Sequence, residues 1–77
     1  MLPPLVPIEG SSNVKAIAYD PQGPVLYVQF HNGAVYEYMD FPPDKWQEFL
    51  NSPSKGKYLN SNIRGRYETR KIQDKES

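Results

Sequence analysis

Sixteen residues, Val25 to Asp40, limit what this chain can become more than any other stretch. Leu26, Val28 and Phe30 alternate with Tyr27 and Gln29, the period of a strand with one buried face. Beyond His31-Asn32-Gly33, Tyr36 and Tyr38 alternate in the same way with Val35, Glu37 and Met39. Loop length decides which sides meet. A two-residue Asn32-Gly33 loop would set Val28 against Glu37 and Tyr36 against Gln29. A three-residue loop, with Gly33 in the left-handed position, pairs Val28 with Tyr36, Leu26 with Tyr38 and Tyr27 with Glu37. A slip of one residue turns every side chain to the wrong face, so the apolar pattern selects the three-residue loop. In that register Val28 faces the core and Val35 faces out.

Around this hairpin the chain divides into a Pro-rich arm over residues 1–12, one folded domain over 13–72 and a charged tail over 73–77. The arm is read either as a partly ordered tail or as a segment that packs on a neighbouring subunit. Val14 to Asp20 reads as a first strand, and Pro21-Gln22-Gly23-Pro24 as the turn into the hairpin, a connection too short for a parallel crossover. Phe41-Pro42-Pro43-Asp44 opens a helix, in which Trp46, Phe49 and Leu50 form an apolar stripe at i, i+3 and i+4. Ser54 can cap a second short helix running to Ile63, with Leu59 and Ile63 facing inward and Gly65 as its stop. Tyr67 to Ile72 could add a short strand. The expected fold is α+β: a three-stranded antiparallel meander covered by one or two short C-terminal helices.

A core this small leaves ~3–5 kcal/mol of net stability. With no cysteine among 77 residues, neither a disulfide nor a thiolate-bound zinc can staple it. A well-packed aromatic core or self-association must serve instead, and a closed homo-oligomer is expected. No apolar run approaches the ~20 residues of a membrane span. The first ten residues lack a basic segment and carry three prolines, so a signal peptide is not expected and a cytoplasmic location is. Formal neutrality hides an asymmetry: residues 1–52 hold two lysines against six carboxylates, and residues 53–77 hold seven basic groups against three acidic ones.

The residues resemble a known family. Ser12, Ile17 and Tyr19-Asp20 match its first strand, and Leu26, Val28, Phe30, Gly33, Tyr36 and Tyr38 match its hairpin. A proline at 42 or 43, Phe49-Leu50 and the run Ser54-x-Gly56-x-Tyr58-x-Asn60-x-x-Ile63-Arg64-Gly65-Arg66-Tyr67 complete the match. Over residues 12–67 the chain is similar to the KTSC domain, named for its place at the C-terminus of some lysyl-tRNA synthetases and also found free-standing. The resemblance implies one domain of this fold and, as the usual suggestion for the family, RNA binding. It implies no reaction.

The candidate site residues fall mainly in the basic half. Ser54, Lys55 and Lys57 stand where a helix begins and its N–H groups favour an anion, although no Walker loop is present. Asn60 and Arg64 lie one helical turn apart, Arg66 and Arg70 extend the basic strip, and Tyr58 and Tyr67 interleave with it. Tyr27, on the face away from Tyr36 and Tyr38, is the candidate for an exposed stacking ring. Tyr36 and Tyr38 are read as core. His31, the only histidine, has no cysteine or second histidine to form a metal site or a triad, and no spacing puts two carboxylates in one cleft. The expected function is therefore a non-enzymatic module, without metal or cofactor, that binds phosphate-bearing nucleic acid (RNA or another single strand) or a nucleotide. Two alternatives stand beside it. One is an oligomeric sequestering protein of the kind viruses use, trapping a cyclic or oligomeric nucleotide signal between subunits; the other is a protein–protein adaptor.

Overall fold

Apolar alternation on both sides of a glycine turn gives a hairpin in the expected register. In the computed structural model of the chain, which describes residues 3–73, Val28 pairs with Tyr36, Leu26 with Tyr38 and Tyr27 with Glu37. The Phe30 N–H donates to Ala34 O and the Gly33 N–H to Phe30 O, both at 2.9 Å, while Gly33 holds φ at +92°. Only glycine adopts that angle without strain, which is why the loop closes after three residues.

The sheet has five antiparallel strands where three were expected: β1 (Val6–Pro7), β2 (Val14–Asp20), β3 (Val25–Phe30), β4 (Val35–Met39) and β5 (Thr69–Gln73), in the order β1-β2-β3-β4-β5. The arm supplies the first of the two additions. Val6 pairs with Ile17 and Pro7 with Ala16, and proline is tolerated because this is an edge. Between Leu5 and Ile8 the arm thus lies on its own sheet, with Leu5 packed on Ala18, Val25 and Tyr27 and the Ile8 N–H donating to Lys15 O at 2.9 Å. The second addition, β5, begins two residues after Tyr67 and pairs Thr69 with Tyr38 and Arg70 with Glu37. It makes β4 an interior strand and sets Gln73 beside Val35. Val35 is accordingly only 1% exposed, which corrects the expectation that it faces out. Of the charged tail, residues 74–77 lie outside the described residues, as do Met1 and Leu2.

Helix α1 (Pro43–Asn51) and helix α2 (Lys55–Tyr58), which runs on as a π-helical turn (Leu59–Ile63), cover one face. The main core joins Val14, Ile17, Leu26, Val28 and Tyr38 from the sheet to Phe41, Phe49, Leu59 and Ile63. Phe49 is buried and Trp46 stacks on Tyr19, ring centroids 5.0 Å apart. Leu50 falls on the flank of the expected stripe and is 39% exposed. Phe41 reaches the core because Asp40 takes a left-handed turn, φ +56°. The Phe41 N–H donates to Pro24 O at 3.1 Å, and Phe41 O accepts from the Tyr19 hydroxyl at 2.6 Å. Among the described residues no helix is long and apolar enough to cross a membrane.

Candidate functional site

Two walls built from distant parts of the chain meet beside the hairpin tip. The first comes from β2 and the loop it adjoins. The Ser11 hydroxyl oxygen accepts from the N–H groups of Asn13 (3.3 Å) and Val14 (3.0 Å), which fixes the turn into β2. The His31 N–H then donates to Asn13 O at 3.0 Å, tying the hairpin loop to that turn. The His31 ring bonds Ser11 O through Nε2 at 2.9 Å; a carbonyl only accepts, so Nε2 carries the proton. In the loop itself the Asn32 side-chain oxygen accepts from the Ala34 N–H at 3.0 Å. Ser12, Asn13, His31 and Asn32 together form this wall.

The second wall is the π-helical turn. Its closing bond runs from the Arg64 N–H to Leu59 O at 2.9 Å, one residue wider than an α-turn. Such turns recur at functional sites because the extra residue redirects a side chain. Leu59 and Ile63 are anchored in the core, and Asn60 and Arg64, each one position further on, are exposed. Arg64 Nη1 donates to the Asn60 side-chain oxygen at 3.2 Å, and Gly65, φ +77°, ends the turn.

Between the walls is an open cleft of about 600 Å³, within the range of small-molecule sites. Phe30, Tyr36 and Tyr38 line it from the sheet, and Phe30 and Tyr36 meet edge to face with centroids 5.5 Å apart. Burial raises the pKa of Tyr38, the Arg64 guanidinium pulls it back down, and Tyr36 raises it again. The net shift is upward, so this hydroxyl keeps its proton at neutral pH and can donate.

Of the candidate residues read from the sequence, the cleft brings together two, Asn60 and Arg64. The others stand elsewhere. The Ser54 hydroxyl accepts from the Lys57 N–H at 3.3 Å, capping α2 as expected. Lys55 Nζ donates to Leu50 O (3.1 Å) and Ser52 O (2.9 Å), so its charge serves the last carbonyls of α1 instead of an incoming anion. Lys57 is exposed beyond this cap. The Tyr58 hydroxyl donates to Glu48 at 2.7 Å and its ring packs on Phe49; burial, then the bond and charge of Glu48, push its pKa up to about 12. Arg66 Nε donates to Ser61 O at 3.3 Å, and Arg70 lies 3.6 Å from the Glu37 carboxylate. Tyr27, expected as an exposed ring, is 9% exposed, because Leu5 from the arm and Met39 close over it beside Ala18 and Val25.

The site also contains residues that were not singled out: Asn13, Asn32, His31 and, as cleft-lining aromatics, Phe30 and Tyr36. The signal was available. Antiparallel pairing of β2 with β3 necessarily brings the residues before Val14 to those after Phe30, so Ser12-Asn13 must meet His31-Asn32.

The family model for the KTSC domain matches residues 10–67, which include every residue of the cleft except Thr69. A lysine–tRNA ligase of Nostoc punctiforme is 38% identical over 64 residues, 83% of this chain and 11% of the ligase. This chain therefore spans only about a tenth of the ligase. A protein of Tsukamurella paurometabola is 34% identical over 61 residues, 79% of this chain and 90% of that one. The crystal structure of a KTSC domain protein from Yersinia pestis superposes with a TM-score of 0.83 at 34% identity, covering 91% of this chain and 97% of that one.

Proposed function

We propose that this chain, which belongs to the KTSC domain family, is a small non-enzymatic module that binds single-stranded nucleic acid, or a nucleotide, in the cleft between the hairpin tip and the π-helical turn. One observation carries the proposal: a guanidinium and an amide, Arg64 and Asn60, face half-buried aromatic rings, Phe30 and Tyr36, across a single opening. Phosphate-bearing bases need that combination, a planar donor fork for the phosphate and an aromatic surface for the base. A ring at the bottom of a cleft can reach an unstacked base but not one inside a duplex, so a single strand is favoured. Kinship with a lysine–tRNA ligase, whose name puts it to work on tRNA, supports RNA over DNA. Overall neutrality is compatible with a few well-placed contacts and not with the many phosphate contacts of non-specific duplex binding.

Calorimetry with a short single-stranded oligoribonucleotide and with the duplex of the same sequence tests the proposal. The single strand is expected to bind and the duplex to bind at least tenfold more weakly. Lys57→Gln, which alters an exposed lysine outside the cleft, is expected to leave the single-strand affinity within about twofold, since surface charges away from special features contribute about 0.5 kcal/mol or less. Equal affinity for duplex and strand, or a large loss in Lys57→Gln, would move the site out of the cleft.

A further inference from the structure

Two tyrosines packed against the main core have hydroxyls bonded within the protein. Those of Tyr19 and Tyr58 donate to Phe41 O and Glu48 respectively. The hydroxyl of Tyr38, a residue only 3% exposed, has no hydrogen-bond partner among the described residues; among the buried tyrosines it shares this with Tyr27, which lies away from the cleft. Left without a protein partner, such a hydroxyl is met by solvent or by a ligand. The oxygen is not sealed inside the core, for among the described residues no wholly buried side-chain oxygen or nitrogen lacks a partner, and Tyr38 lines the cleft. A donor held on a rigid strand and left without a protein acceptor, at the floor of a cleft whose wall carries Arg64, is arranged to meet an anion there.

The charge of the lining limits what that anion can be. Arg64 is the only lysine or arginine among the described residues that line the cleft, and its fork is already turned toward Asn60. One guanidinium matches one phosphodiester; a diphosphate or triphosphate would bring charge that nothing in the lining answers. The volume, about 600 Å³, leaves room beside the phosphate for a sugar and a base against Phe30 and Tyr36.

Building on the proposed function, we infer that the cleft takes one nucleoside monophosphate unit, its phosphate held between the Arg64 guanidinium and the Tyr38 hydroxyl and its base resting on Phe30 and Tyr36. The same chemistry is offered by a free nucleoside monophosphate and by one residue of a single strand. Uridine 5′-monophosphate and hexauridylate are therefore the two probes, titrated by calorimetry into the whole chain over a range of salt. On the wild type, the logarithm of the hexauridylate affinity is expected to fall with the logarithm of salt at a slope of about −0.7, the value for one phosphate on a single strand. A slope of about −2 or steeper would mean several phosphate contacts and would overturn the inference. Tyr38→Phe keeps the ring and is expected to bind both probes about five- to tenfold more weakly, the loss of one hydrogen bond. An unchanged affinity in folded Tyr38→Phe removes the tyrosine from the site. The salt slope needs no variant and so decides even if Tyr38→Phe does not fold. Hexauridylate binding with an unchanged variant or a steep slope leaves the binding module standing and sinks only this inference; no binding of either probe sinks both. Hexauridylate much tighter than the mononucleotide identifies a strand as the source, and similar affinities identify the free nucleotide.

Discussion

Phe41→Ala is expected to leave the chain largely unfolded at 25 °C. Phe41 is fully buried and packs edge-on against Tyr19 (6.3 Å) and Tyr67 (5.0 Å). It sits where the sheet, the start of α1 and the segment after the π-helical turn converge. Cutting a buried phenylalanine back to alanine costs about 3–5 kcal/mol, because the lost transfer energy is joined by a cavity that the surroundings fill only in part. A domain of this size has about that much net stability in all. The substitution therefore removes most or all of what holds the fold. Leu50→Ala, at a site 39% exposed on the flank of α1, is the matching control and is expected to lose less than about 1 kcal/mol. Urea unfolding followed by far-ultraviolet circular dichroism compares the two. A cooperative Phe41→Ala transition within about 1 kcal/mol of the wild type would show that the core is not centred where Asp40 turns the chain.

Arg64→Gln is expected to have the largest effect on binding and almost none on folding. The side chain is exposed, and among the described residues its guanidinium bonds only the Asn60 amide oxygen, itself exposed. Glutamine keeps a donor of similar reach but removes the charge and the planar fork. A hydrogen bond to a charged group contributes about 1.5–3 kcal/mol, so affinity for a single strand should drop by about tenfold to a hundredfold or more. The midpoint of thermal unfolding should stay within a few degrees of the wild type. Electrophoretic mobility shift with a labelled single strand is sufficient to see a loss of that size. Undiminished binding in Arg64→Gln would exclude the cleft as the anion site, whatever else the domain binds.

How far the sequence disclosed this molecule depends on which forces were local. The register of the hairpin was legible because two apolar alternations and one glycine must agree, and only one loop length lets them. The Ser54 cap and the inward pair Leu59 and Ile63 were legible for the same reason: their spacing alone defines a helical face. β1 was not, since a two-residue strand with a proline has no period, and its stability comes from the sheet it joins. Its presence, with Leu5, is what buries Tyr27 and defeats the expectation of an exposed ring. The π-helical turn leaves no composition signal, although the i, i+4 spacing of Asn60 and Arg64 survived it. Charge counting pointed to the whole basic half, but it could not tell a lysine that caps a helix, Lys55, from an arginine at a cleft, Arg64. The other half of the site required knowing that Asn13 lies beside His31, a consequence of strand pairing and not of any motif.

The central claim, that the ligand enters between the hairpin tip and the π-helical turn, is tested most directly by mapping amide chemical shifts while hexauridylate is added to the isotope-labelled protein. The account predicts that the largest changes cluster at Asn13, His31, Asn32, Tyr36, Tyr38, Asn60, Arg64 and Gly65, with Lys57, Arg66 and the β5 residue Arg70 little affected. Changes confined to Lys57, Arg66 and Arg70, with the hairpin tip silent, would contradict it.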